Sequence, residues 1–229
     1  MSKLSVIIPA AGSGKRMGTE TPKPFLKVGG KPILQHTIVN FVGLPQVSQI
    51  IIAASSENFS EVESICSSFT QKVNYFVIVE GGSERQQSIE NAIQKVGDDI
   101  DLVAIHDAVR PFIRASLINK ACEVAEQVGG AVIGIPSKDT IKQVDEDLII
   151  KLTPDRASLW QAQTPQVFKT ELLKKAYSAA SNFVGTDDAS LVERIGGTVK
   201  MIEGGPENIK ITYPFDLKVA ASILEGNHE

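Results

Sequence analysis

The segment Pro9-Ala10-Ala11-Gly12-Ser13-Gly14-Lys15-Arg16-Met17-Gly18 sets small residues directly after a short apolar run, and Lys23 follows between Pro22 and Pro24. Small residues let backbone N–H groups come close to an anion, so the stretch reads as a phosphate loop. It is neither of the two familiar ones. A P-loop needs Ser or Thr after its Gly-Lys to hold magnesium, and Arg16 stands there. A dinucleotide turn needs a third glycine where Met17 stands. So many cations in one loop suit a triphosphate, whose leaving group gathers negative charge. Lys23 precedes a proline, which predicts an extended backbone and a defined direction for its side chain.

The charge distribution supports this reading. Over 229 residues the net charge is −4, which argues against a generic partner of nucleic acid or membrane surfaces. Residues 1–31 carry Lys3, Lys15, Arg16, Lys23, Lys27 and Lys31 against Glu20 alone, so this segment is +5 and the remainder −9. With 42% hydrophobic and 22% charged residues the chain is neither disordered, collagenous nor a coiled coil. Its length suits one large domain, or one domain plus an appendage. The early apolar run, residues 4–8, is too short for a signal-peptide core or a membrane span, and cytoplasmic residence is the expectation. Cys66 and Cys122 lack metal-ligand or redox spacing and read as reduced core residues.

These groups need elements to position them. Apolar β-branched runs at 4–8, 49–54, 73–79, 102–105, 131–135 and 198–202 read as strands. Segments of helical period lie at 33–42, 57–69, 83–96, 115–128, 171–181, 188–195 and 215–224. The alternation predicts βα units on a mostly parallel sheet in a three-layer α/β sandwich. Asp107 then falls at the carboxyl end of a strand, where a carboxylate can hold Mg²⁺; alternatively it caps a turn and pairs with Arg110. Residues 140–152 break the rhythm. Two alternating runs flank Asp145-Glu146-Asp147 and predict an inserted β-hairpin, packed either on its own domain or on a partner subunit. Asp187 and Asp188 read as caps of the helix that follows them.

Several motifs carry a family resemblance. Ala10-Ala11-Gly12-Ser13-Gly14-Lys15-Arg16-Met17 with Pro22-Lys23 resembles the signature of sugar-phosphate nucleotidyltransferases. The motifs Gly81-Gly82-Ser83-Glu84-Arg85, His106-Asp107-Ala108-Val109-Arg110-Pro111, Lys138-Asp139-Thr140, Gln163-Thr164-Pro165-Gln166, Thr186-Asp187-Asp188-Ala189-Ser190 and Asn208-Ile209-Lys210 narrow it. In that order they are similar to the 2-C-methyl-D-erythritol 4-phosphate cytidylyltransferases of non-mevalonate isoprenoid synthesis. Pro24 stands where that family commonly has Gln. A family that makes CDP-ribitol shares two of the motifs, but its loop usually reads Ala-Gly-Gly rather than Pro9-Ala10-Ala11-Gly12.

The resemblance implies a three-layer Rossmann-like nucleotidyltransferase fold, one domain over 1–229 with a β-hairpin arm at about 137–157. It implies transfer of the cytidylyl group of CTP to the polyol phosphate with Mg²⁺ or another divalent cation, and release of pyrophosphate. Arg16 and Lys23 match the family's catalytic pair, and Arg156 and Lys210 match the pair that orients the nucleophile. Ala10, Ala11, Gly12, Gly14, Gly82, Ser83, Ser88 and Ala108, with Lys23 and Lys210, match the nucleotide site. Asp107, Arg110, Thr140, Arg156, Thr164 and Thr186 match the polyol-phosphate site, with Asp107 on the metal. The arm implies a homodimer. A ribitol-phosphate cytidylyltransferase and a non-catalytic nucleotide-sensing module are the alternative readings. The nucleophile, a phosphate monoester with second pKa about 6, is already ionised at neutral pH. No general base is needed, in keeping with His36, His106 and His228 forming no visible dyad with Ser or Cys.

Overall fold

The computed structural model describes residues 2–12, 18, 21–69, 76–180 and 183–226. The strands are β1 (Leu4–Pro9), β2 (Lys27–Val28), β3 (Lys31–Pro32), β4 (Val47–Ala54), β5 (Phe76–Glu80), β6 (Leu102–Ile105), β7 (Gly130–Pro136), β8 (Gln143–Val144), β9 (Ile150–Leu152), β10 (Trp160–Lys169) and β11 (Val199–Glu203). The helices are α1 (Ile33–Val39), α2 (Phe59–Ser67), α3 (Arg85–Ile93), α4 (Ala115–Val128), α5 (Thr170–Ser178), α6 (Asp188–Arg194) and α7 (Pro214–Gly226). Seven strands form the central sheet in the order β11-β7-β10-β6-β1-β4-β5. All its pairings are parallel except those of β10, which runs antiparallel between β6 and β7.

The three layers follow from alternation along buried strands. Leu4, Val6 and Ile8 of β1, with Ile50 and Ile52 of β4, face one apolar cluster with α1, α2 and α4. Ile7 and Ile51, one residue out of phase, face the other cluster with α3, α5 and α6. Successive strand side chains point to opposite faces, so a run apolar throughout is buried on both. Cys66 and Cys122 are buried free thiols on α2 and α4, as expected, and burial pushes both up to about 12. Among the described residues no helix is long and apolar enough to cross a membrane.

β10 was not anticipated. Gln161, Gln163, Pro165 and Gln166 dilute its apolar pattern, and a proline argues against a central strand. The strand accommodates Pro165 because its register against β7 slips between Ala162 and Gln166, so that no ladder bond is needed there. The predicted hairpin is present as β8 and β9. The Asp145 carboxylate organises its turn, accepting from the Ile149 and Asp147 N–H groups at 2.8 and 3.2 Å and pairing with Lys151 at 2.8 Å. Leu148, Ile149, Ile150 and Leu152 on this arm are all more than half exposed.

Candidate active site

In the parallel part of the sheet the strand carboxyl ends share one edge. There the backbone continues the ladder past each strand: Ala10 N–H donates to Ala53 O at 2.6 Å, Gly81 N–H to Ala54 O at 2.8 Å and His106 N–H to Ile7 O at 2.9 Å. The loops are in contact, since a Cβ at Gly81 would run into the Ala11 methyl. Glycine is therefore required for close approach rather than for its φ. Ser88 is buried and shapes the same loop, its Oγ accepting from Gly82 N–H and donating to Glu84 O, both at 3.0 Å. Ser83 is exposed, its N–H held by Gln87 Oε1 at 3.0 Å. Ala108 is buried and its carbonyl accepts from the Thr37 hydroxyl at 2.9 Å.

Asp107 is the centre of charge. Two residues beyond β6 and 7% exposed, it is approached by three cations: Lys210 Nζ at 3.0 Å and Arg110 Nε at 3.2 Å on Oδ2, and Arg85 Nε at 3.6 Å on Oδ1. Burial alone would raise its pKa; the three cations more than offset that and hold the carboxyl well below the usual range. Its N–H donates to Thr164 Oγ1 at 3.0 Å, which the slipped register of β10 brings to this edge. Asn208 ties the far wall together. Its amide donates to Gln163 Oε1 and Thr164 O, both at 3.0 Å, and its carbonyl accepts from Arg110 Nη1 at 2.8 Å.

The turn-capping alternative for Asp107 is also present, since Arg110 both pairs with its side chain and donates its N–H to Asp107 O at 3.1 Å. Arg85, Gln163 and Asn208, which no sequence signal assigns to the site, are part of it. For Arg85 the nearest thing to one is its place at the start of the helix after Gly81-Gly82-Ser83. It reaches back to Asp107 and donates from Nη2 to Asp188 Oδ2 at 2.7 Å. Burial works against its charge, but Asp188 and Asp107 hold its pKa above the ordinary value. Asp188, 1% exposed, also accepts from the Tyr177 hydroxyl at 2.6 Å. It is therefore a buried counter-ion rather than a cap. Asp187 is the cap, accepting from Ser190 N–H at 3.0 Å.

The other predicted residues are spread more widely. Gly14 and Arg16 lie outside the described residues. Lys23 is not extended: it opens a one-turn 3₁₀ helix, Lys23–Phe25, closed by Phe25 N–H to Pro22 O at 3.0 Å and anchored by the buried Pro24 and Phe25. The extended residue is Pro22, one place earlier. Thr186 is exposed at the start of the turn before α6. Thr140 and Arg156 are exposed on the arm, where Arg156 Nη1 donates to Lys138 O at 2.8 Å. Within one chain they are not bonded to the Asp107 cluster.

His106 is fully buried, bonded through Nε2 to Arg110 O at 2.9 Å, with Phe41 edge-on at 5.0 Å. Burial pushes its imidazole down from 6.5 to about 4. Between those values the unfolded chain binds the extra proton, so stability rises with pH across that window. Lowering pH from 7 to 4.5 is expected to remove about 2–3 kcal/mol of unfolding free energy. Urea melts at both values check this. His106→Gln should flatten the difference, and an unchanged difference would show that other groups cause it.

The chain is similar to known proteins along nearly its whole length. Residues 4–226 match the family model described as 2-C-methyl-D-erythritol 4-phosphate cytidylyltransferase (IspD). The chain belongs to the 2-C-methyl-D-erythritol 4-phosphate cytidylyltransferase family. It is 43% identical to that cytidylyltransferase from Alkaliphilus metalliredigens, over 97% of this chain and 93% of the relative. The 4-diphosphocytidyl-2C-methyl-D-erythritol synthase from Anaerococcus prevotii superposes with a TM-score of 0.87 at 30% identity, over 98% of this chain and 96% of that one. The cytidylyltransferase from Thermus thermophilus does so with 0.79 at 30% identity, over 97% and 99%.

A single carboxylate can be the protein's share of a divalent-ion site when substrate phosphates supply the other ligands. Mg²⁺ is usually held by one or two carboxylates together with substrate phosphates. Asp107 Oδ1, whose ionic neighbour is Arg85 at 3.6 Å, offers one such ligand.

Proposed function

We infer that the protein transfers the cytidylyl group of CTP to 2-C-methyl-D-erythritol 4-phosphate, giving 4-diphosphocytidyl-2-C-methyl-D-erythritol and pyrophosphate for isoprenoid synthesis. The observation that carries this reading is the convergence on Asp107 of Lys210, Arg110 and Arg85, the last of which opens the helix that follows Gly81-Gly82. A phosphate monoester needs no base to attack the α-phosphorus, and the buried His106 is unsuited to be one. Catalysis then consists of holding two anions in line and neutralising the charge that develops.

In this reading Ala10, Ala11, Gly12, Gly14, Gly82, Ser83 and Ala108 line the nucleotide, with Ser88 shaping their loop. Arg16 and Lys23 neutralise the triphosphate and the charge at the α-phosphorus; Arg supplies a planar fork and Lys a point charge. Arg110, Thr164 and Thr186 receive the polyol phosphate, and Lys210 orients the nucleophile. Asp107 holds Mg²⁺ or another divalent cation, which when bound supplies Lewis-acid polarisation of phosphate oxygens. Thr140 and Arg156 serve from the arm across a homodimer. The exposed apolar residues of the arm support that arrangement, because a lone two-stranded ribbon is marginal in water. Two unpaired thiols suit the reducing cytoplasm.

Pyrophosphate release with Mg²⁺, CTP and a panel of polyol phosphates tests the function. Turnover of methylerythritol phosphate is expected. Turnover of ribitol 5-phosphate alone would move the chain to the pentitol chemistry, and nucleotide binding without turnover to a sensing role. Lys23→Ala is expected to lower kcat by about 10²–10³-fold, the scale of a lost transition-state donor, with an unchanged circular-dichroism spectrum. An unaltered kcat would remove Lys23 from the catalytic pair.

A further inference from the structure

Residues 183–187, which include Thr186, belong to neither helix nor strand. One side chain supplies the partner that a neighbouring strand would. Gln86 Nε2 donates to Phe183 O at 3.0 Å, and Gln86 Oε1 accepts from Gly185 N–H at 3.0 Å. The two groups lie two residues apart, on one side of the backbone, as in a ladder pairing. The Phe183 ring is held from another direction by Arg194, whose guanidinium carbon lies 4.5 Å from the ring centroid.

The other flank is pinned as well. Gln166, 2% exposed in β10, donates from Nε2 to Asp187 Oδ2 at 2.7 Å and accepts from Ala189 N–H at 2.9 Å. Thr186 thus sits between two fixed neighbours while remaining exposed. Gln86 also stands in the first turn of α3, the helix that opens directly after Gly81-Gly82-Ser83. The first turn of α3 thereby bonds to the Gly82-Ser83 loop through Gln87 and Ser88 and to the Thr186 segment through Gln86.

We propose that Gln86 is a positioning residue for the acceptor: by pairing with Phe183 and Gly185 it holds Thr186 in place for the polyol phosphate and sets that site in register with the nucleotide site. The inference rests on the assignment of Thr186 to the polyol phosphate made above. A segment freed from its clamp must be ordered again each time acceptor binds, and that entropy is drawn from the binding free energy. The cost falls on the acceptor, since the nucleotide loop keeps its own bonds to Ser88 and Gln87.

Gln86→Met keeps the length and apolar stem of the side chain and removes both hydrogen bonds. It is expected to raise KM for 2-C-methyl-D-erythritol 4-phosphate by about tenfold, the scale of two lost net hydrogen bonds, with kcat and KM for CTP within twofold. Hydrogen–deuterium exchange should become faster in peptides covering 183–191 and stay unchanged over 102–110. Gln86→Glu retains the acceptor for Gly185 N–H but sets a carboxylate oxygen against Phe183 O, and should raise the same KM at least as far. An acceptor KM that does not move, or one that rises in step with that for CTP, overturns the proposal. If the unmodified enzyme uses a different polyol phosphate, the substrate reading fails, and the same split measured with that acceptor decides the role of Gln86. If it turns over none, the exchange pattern decides.

Discussion

Asp107→Asn is expected to lower kcat by about 10³-fold, roughly 4 kcal/mol of transition-state stabilisation, without raising KM for CTP. The asymmetry follows from the charges. Asparagine is nearly isosteric, so Thr164 still accepts the backbone N–H of residue 107 and the turn survives. What is lost is one negative charge that three cations address. The site becomes more cationic, so ground-state attraction for a triphosphate is kept or strengthened. The group that holds a divalent ion in register with the reacting phosphorus is gone. An interaction made chiefly in the transition state shows in kcat rather than KM. Steady-state kinetics on the variant decide the matter. A kcat within tenfold of the parent would reduce Asp107 to the turn cap that its bond with Arg110 also makes it.

Asp188→Ala is expected to cost about 3 kcal/mol of stability, which for a chain of this size lowers Tm by roughly 6–12 °C. Asp188 is 1% exposed and answers two groups, the Arg85 guanidinium and the Tyr177 hydroxyl. Its removal leaves the hydroxyl buried without an acceptor and Arg85 with Asp107 alone. The Arg85 side chain is 34% exposed and can recover some hydration, which places the effect at the lower end of the range for a broken buried pair. The neighbouring Asp187→Ala removes a helix cap and should cost only about 1 kcal/mol. Thermal melts of the two variants compare them directly. Equal shifts would mean that the buried ion pair contributes no more than the cap.

That contrast marks the limit of legibility. Adjacent aspartates before a helix look alike in sequence, and only tertiary packing places Asp188 against a cation 103 positions earlier in the chain. The layered α/β architecture was legible because burial on both faces of a strand forces a continuous apolar run. The strand ends, and with them Asp107 and Ala10, followed from it, whereas Gly82 stood out only through the family resemblance. β10 was hidden because a glutamine-rich strand with a slipped register has neither the run nor the alternation. With it were hidden the routes by which Thr164 and Asn208 reach Asp107. At Lys23 the local preference of a residue before proline yields to the packing of Pro24 and Phe25.

The position of β10 also bears on how the chain assembles. β6 and β7 are not paired; within the sheet they are joined through a strand made some 25 residues after β7 ends. During synthesis β5, β4, β1 and β6 can pair among themselves, but the outer edge of β6 and the inner edge of β7 stay bare until residue 169 has emerged. Such edges invite pairing with other chains, and non-local closure is the slow kind. The strand that carries Thr164 to Asp107 is thus also the one that closes the gap between the two halves of the nascent sheet.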